Sequence, residues 1–295
     1  MIGFNSYHPF VNLLYFVFVI GFSMFFMNPI CLGISFFCSF VCTVLFGGKK
    51  AVKTNLLFML PTMLFMSVTN PLFNHNGATI ITYFKDGNPL TAESILYGFF
   101  ASLMIISVIS WFSFYNKVMT SDKFIYLFGK VIPSLSLVIS MTLRFVPRFL
   151  AQMRNVSNAR RCMGRNISGG KLTKRIKNGL DIVSAMVTWS LENAVDTSDS
   201  MRSRGYGLAG RTSFSIFRFD KKDTAALFYI VLFGVFTLVC AFSGGMDFRF
   251  FPTFKMPPPS FFGIGGYLSY FLLCICPVII EFWEVRRWNA SRSKI

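Results

Sequence analysis

The stretch "DIVSAMVTWSLENAVDTSDSMRSRGYG", residues 181–207, decides the fold. Its polar residues Asp181, Ser184, Thr188, Glu192, Asp196 and Asp199 recur every 3.6 residues on average, the period of an α-helix. They form one narrow stripe. The rest of the circumference is apolar, with Leu180, Ile182, Val183, Met186, Val187, Trp189, Leu191 and Val195. Such a helix is buried on most sides, or lies in a membrane with its stripe turned toward protein or water. It closes on Ser203-Arg204-Gly205, with Arg202 one residue before.

The same ending occurs 41 residues earlier. In "NARRCMG", residues 158–164, Cys162-Met163-Gly164 aligns with Ser203-Arg204-Gly205, preceded by Arg160 and Arg161. The helix leading to it is expected over about 144–163. Val146, Phe149, Leu150, Met153, Val156 and Met163 lie on one side of it. Arg144, Arg148, Asn155, Asn158 and Arg165 lie mostly on the other. Pro147 suggests a bend or a fresh helix start. The plain reading of the shared ending is capping: glycine takes the left-handed conformation at C′, and arginine suits the negative end of the dipole. Capping accounts for one arginine but not for a duplicated frame. Two helix ends presenting guanidinium groups read as a pair of plugs for acidic grooves on a partner.

Working outward, 54% of the 295 residues are hydrophobic, 38 are Phe, and mean hydropathy is +0.56, the composition of an integral membrane protein. Six apolar runs without Asp, Glu, Lys, Arg or His are long enough to cross: 10–27, 30–46, 55–71, 94–114, 225–243 and 264–280. The first pair turns tightly at Asn28-Pro29, and Pro61 predicts a kink in the third. The N-terminus has no basic region, so the first run is expected to be a retained span rather than a cleaved signal. The fold class is therefore all-α and polytopic, with about six transmembrane helices and a set of amphipathic helices between the fourth and fifth.

Net charge is +17, and 26 of the 29 basic residues follow spans two, four and six or fall between Arg144 and Lys222. By the positive-inside rule this puts both termini and residues 115–224 in the cytoplasm of a cell-membrane protein. Only Lys85, Arg249 and Lys255 remain outside, on loops 72–93 and 244–263. The first outer loop carries a hairpin signal in "TIITYFKDGNPLT" around Asp86-Gly87-Asn88. The organisation is then 1–114 N-terminal spans, 115–224 inner-leaflet and cytoplasmic helices, and 225–295 C-terminal spans with a basic tail. Residues 124–143 are apolar enough for a seventh span. A crossing there would invert the charge bias, so they are read as two helical pieces against the inner leaflet, interrupted by Lys130 and Pro133.

Several chemistries are excluded. Gly164-x4-Gly169 is followed by Gly170 where a phosphate-binding loop needs lysine, so nucleotide hydrolysis must come from another chain. His8 and His75 fall on opposite sides and cannot share a metal. The seven cysteines lack metal-site spacing and read as packing residues. The acids of the stripe sit on one helix without His or Cys beside them, so no metal or cofactor is implied. The basic residues follow membrane orientation rather than a nucleic-acid surface.

"LRFVPRFLAQMRNVSNARRCMG", residues 143–164, and "SMRSRGYG", residues 200–207, resemble the two arginine motifs of the transmembrane T component of energy-coupling factor (ECF) transporters, the EcfT/CbiQ-like family. The order of spans and motifs agrees over most of the chain. The resemblance implies a non-catalytic subunit that ties a membrane-embedded, substrate-binding S component to two cytoplasmic ABC-type ATPases, for uptake of a vitamin or metal ion. Each small-Arg-Gly tripeptide would dock in one ATPase. Ser203-Arg204-Gly205 matches fully. Met163 stands where the first arginine is expected, so Arg160, Arg161 or Arg165 takes over by a register shift, or that end binds differently. The family often has one span after the coupling region, against two here. A self-contained carrier or channel would place ionisable residues near mid-membrane, and the six runs have none. A membrane-embedded enzyme would need clustered His, Cys or paired acids at the interface.

Overall fold

The computed structural model describes residues 3–83, 88–164, 172–208, 217–252, 254 and 260–292. Eight α-helices and one two-stranded hairpin follow in chain order: α1 (Pro9–Phe25), α2 (Pro29–Phe73), β1 (Ile80–Tyr83), β2 (Pro89–Thr91), α3 (Ala92–Val118), α4 (Ser121–Val131), α5 (Pro133–Cys162), α6 (Leu172–Ser203), α7 (Lys221–Phe242) and α8 (Phe261–Arg292). The chain is an essentially all-α polytopic membrane protein. It divides into two compact units, residues 1–124 with 217–295, and residues 125–216.

In the first unit all six apolar runs are helical. Among the described residues, four helical stretches are long and apolar enough to cross a membrane: Pro29–Gly48, Ala92–Val118, Lys221–Phe242 and Phe261–Arg286. Pro9–Phe25 has 17 residues, somewhat short of the ~20 that a straight crossing takes. The run 55–71 forms the second half of α2. There the backbone leaves the helical region at Gly48 (φ 65°, ψ 179°) and not at Pro61, which lies within the helix. Proline carries a helical φ and costs one backbone bond, whereas the left-handed φ at Gly48 redirects the chain and is open to glycine.

The expected turn at Asn28-Pro29 is present, and Asn28 explains its tightness. Its Oδ1 accepts from the Ile30 amide at 3.0 Å, capping α2. Its Nδ2 donates to the Met246 carbonyl at 3.0 Å and to the Tyr267 hydroxyl at 2.6 Å. Between helices, apolar side chains gain nothing by leaving lipid, so packing and interhelical hydrogen bonds must hold the bundle. Trp111 Nε1 donates to Ser35 Oγ at 2.9 Å. Ser35 Oγ is 2.6 Å from Ser23 Oγ, which lies 3.1 Å from the Tyr270 hydroxyl. Tyr15 donates to the Cys274 carbonyl at 3.0 Å. These bonds join α1, α2, α3 and α8, each contributing about 0.6 kcal/mol by the average for membrane helices. Gly98 lets α3 approach α2 closely, since a Cβ there would lie 2.9 Å from the Met66 carbonyl.

The hairpin expected in loop 72–93 forms, with Ile80 opposite Thr91 and Tyr83 opposite Pro89. Asp86 and Gly87 of its turn lie outside the described residues. Beside it, Thr91 caps α3, and buried Glu93 accepts from Thr79 Oγ1 at 2.7 Å. His8 is buried as the N-cap of α1, with its Nδ1 accepting from the Phe10 amide at 3.2 Å. Lys123 is buried too. Its Nζ donates to the Asn5 carbonyl at 2.6 Å and to Asn5 Oδ1 at 3.1 Å, and burial lowers its pKa to about 8. Six of the seven cysteines are buried, as packing residues should be, while Cys162 is exposed.

In the second unit, residues 124–143 do fall into two helical pieces. The break sits at Ile132, with Pro133 at the first position of α5. The helix expected from about 144 therefore begins eleven residues earlier and passes through Pro147 without a new start. A proline inside a helix removes one amide donor but keeps a helical φ, so helix on both sides carries the chain through. α6 also extends beyond the periodic stretch, from Leu172 to Ser203.

Candidate docking site at the helix tips

The two tips are built alike. At the end of α6 the Tyr206 amide donates to the Met201 carbonyl at 3.0 Å, and the Gly205 amide to the Arg202 carbonyl at 3.0 Å. This pair of bonds is a Schellman closure, with Gly205 at C′ and φ +79°. Arg204 is then the C-cap residue, and Ser203 Oγ donates back to the Ser200 carbonyl at 2.9 Å. At the end of α5 the Gly164 amide donates to the Arg161 carbonyl at 3.1 Å, and Gly164 has φ +74°. Met163 is the C-cap residue there, in the place that Arg204 holds on α6. The alignment of the two motifs by sequence is thus an alignment of equivalent backbone positions.

Cys162, Met163, Gly164, Arg202, Ser203 and Arg204 are exposed, and Gly205 is half-buried. Met163 shows 67% of its surface. Arg202 and Arg204 lie where the C-terminal carbonyls give the helix end negative character, which holds cations favourably. The α5 tip differs. Arg160 is engaged, its Nη1 donating to Asp181 Oδ2 at 2.7 Å, while Arg161 is exposed. Arg165 lies outside the described residues.

The same ion pair fixes the spacing of the tips. Arg160, in the last turn of α5, meets Asp181, in the third turn of α6. Farther along, Phe149 packs edge-on against Trp189 with ring centroids 5.2 Å apart. The helices therefore run in opposite senses. From Asp181 to Arg204 is 23 residues, or about 35 Å of helix, and Met163 lies beyond Arg160 in the other direction, so the two tips stand at opposite ends of the pair.

α6 presents three longitudinal faces. Ile182 and Asn178 are buried and Met186 and Trp189 half-buried on the side toward α5. The polar stripe of Ser184, Thr188, Glu192, Asp196 and Asp199 is exposed beside it. A third face, Leu180, Val183, Val187, Leu191 and Val195, is apolar and open along its length. The period revealed the stripe, but the pairing of Asp181 with Arg160 depends on how two helices meet and has no local signature. Tyr206, whose amide completes the closure, is a further tip residue that the motif frame omits. Among the described residues no group of His, Cys, Asp and Glu could hold a metal ion.

The chain matches known proteins over most of its length. The family of cobalt transport proteins, CbiQ, matches residues 5–214. The energy-coupling factor transporter transmembrane protein EcfT of Lactobacillus helveticus is 29% identical over 222 residues, covering 70% of this chain and 78% of that protein. The protein of the same name from Bacillus selenitireducens is 27% identical over 217 residues, covering 68% of this chain and 81% of that one. With the helix pair and both tip motifs inside the matched span, the chain belongs to the CbiQ/EcfT family of energy-coupling factor transmembrane components.

Proposed function

We propose that this chain is the coupling subunit of an ECF-type ABC importer, carrying motion from two cytoplasmic ATPases to a membrane-embedded S component that binds a vitamin or metal ion. The observation that carries the reading is the pair of equivalent caps, each projecting its C-cap side chain, at opposite ends of one antiparallel helix pair. Tips so separated suit two grooves on two subunits rather than one. Arg204 is the charged plug, entering an acidic groove with Arg202 beside it. Met163 is an apolar plug, with Arg161 as the neighbouring cation. The open apolar face of α6 is the seat for the S component, and the polar stripe faces water or the ATPases. Both termini and both tips are cytoplasmic, as the basic residues require.

The mechanism is mechanical. ATP hydrolysis belongs to the partners. Closure of the ATPases brings their grooves together, and the ion pair and ring contact between α5 and α6 make the helices answer as a pair. Only contacts that differ between the two nucleotide states can do work on the S component. Arg204→Glu tests the reading. Membrane insertion persists while co-purification with the ATPases and substrate uptake are lost. Retained assembly and uptake in that variant would overturn it.

A further inference from the structure

The first unit holds a cleft of about 360 Å³ between the start of α7 and the second half of α8, closed on one side by the segment before α1. Ala225, Ala226, Ile279 and Ile280 give it an apolar floor, and Tyr7, Tyr229 and Trp283 an aromatic rim. Two charges stand on it: exposed Lys222, at the start of α7, and Glu284, on the last turn of the apolar stretch that ends at Arg286. One oxygen of Glu284, Oε2, is screened from water and has no hydrogen-bond partner among the described residues. One turn back on the same helix, Glu281 Oε2 is in the same condition. Arg286, the nearest basic residue along the helix with a described side chain, lies over the Phe282 ring, 4.5 Å from its centroid. The tip motifs use none of these residues.

An occupant must meet three demands at once. It must bring N–H donors to the Glu284 carboxylate, which lines the cleft, is half-exposed there and lacks a donor of its own. It must offer an anion to Lys222. It must also lay hydrocarbon along the alanine and isoleucine floor. The cleft sits where two apolar spans end and tyrosine and tryptophan gather, which is the level of lipid headgroups. We propose that it binds a phosphatidylethanolamine, with the ammonium on Glu284, the phosphate on Lys222 and the acyl chain along α7 and α8. A choline headgroup has no N–H to give, and a glycerol headgroup brings no cation to the acidic wall.

Native mass spectrometry of the full-length protein tests this with phosphatidylethanolamine, phosphatidylcholine and phosphatidylglycerol of identical acyl chains. The ethanolamine lipid is expected to be retained about tenfold better than the other two, the factor that one charge-assisted hydrogen bond supplies. Glu284→Gln removes that preference and Glu284→Asp keeps most of it, while Lys222→Met weakens retention of all three lipids alike, because each carries the phosphate. Equal retention of the three lipids by the native protein, or an unchanged preference in Glu284→Gln, overturns the assignment. The headgroup comparison needs no variant, so a misfolded substitution does not blunt it.

Discussion

Arg160 Nη1 donates to Asp181 Oδ2 across 2.7 Å, tying the last turn of α5 to the third turn of α6. Both side chains are partly exposed, at 20% and 35%, so the bond contributes only about 0.2–1 kcal/mol. Its importance is positional. It withdraws Arg160 from the α5 tip and sets which turn of α6 that tip faces.

Reversing one partner should therefore loosen the helix pair, and reversing both should restore it. Arg160→Asp and Asp181→Arg each lower the apparent unfolding temperature slightly and reduce uptake. The double variant recovers both. Uptake and unfolding followed in parallel across the four proteins check this, and a double variant no better than the singles would contradict it.

Gly205 closes α6 at φ +79°, where any Cβ costs about 1–2 kcal/mol, and an added methyl group would lie 3.2 Å from Leu208 Cδ1. Asparagine tolerates this region better than alanine, and valine worst. Retention of ATPases on the purified chain is expected to fall in the order Gly, Asn, Ala, Val. The same series at Gly164, with φ +74° and open space around it, should show the same order with a smaller spread.

Met163 occupies the C-cap position without a charge. An apolar groove opposite it would accept Met163→Leu with little loss. It would reject Met163→Glu, for which burying a carboxylate without a partner costs several kcal/mol. Co-purification at two salt concentrations distinguishes the tips. Binding lost through Arg204 variants depends on salt, and binding lost through Met163 variants does not.

Lys123 has a folded pKa lowered by burial to about 8, below its unfolded value near 10.5. The unfolded chain binds the proton more tightly, so the folded state gains stability as pH rises from about 8 toward 10.5 and carries the full cost below 8. Against Lys123→Met, which has no such proton, the native protein should gain relative stability over that window. Unfolding temperatures at pH 7, 8.5 and 10 check the sign.

Much of this architecture was legible in the residues. The 3.6 period of Asp181–Asp199 marks α6, the closing glycines mark both caps, and Asn28-Pro29 marks the first turn. These signals are local, since each is carried by a few neighbours and one backbone preference. What the sequence withheld is tertiary. Proline statistics allow a bend or a fresh helix start at Pro147, and flanking helix on both sides rules out the new start. Lys123 reads as a loop cation until Asn5 is brought over it. Hydropathy does not distinguish a break at Gly48 from a kink at Pro61, because both lie in or near apolar runs. The engagement of Arg160, which leaves Met163 and Arg161 at the α5 tip, follows only from where α6 lies.

The central claim is that the two helix tips touch two ATPases at once. A photo-crosslinking amino acid placed at Met163 or at Tyr206, in membranes that also hold the ATP-binding-cassette partners, reads this directly. Each position should yield an adduct of the chain with an ATPase, and a chain carrying both should yield adducts with two. Normal membrane insertion with no ATPase adduct from either position would contradict the account.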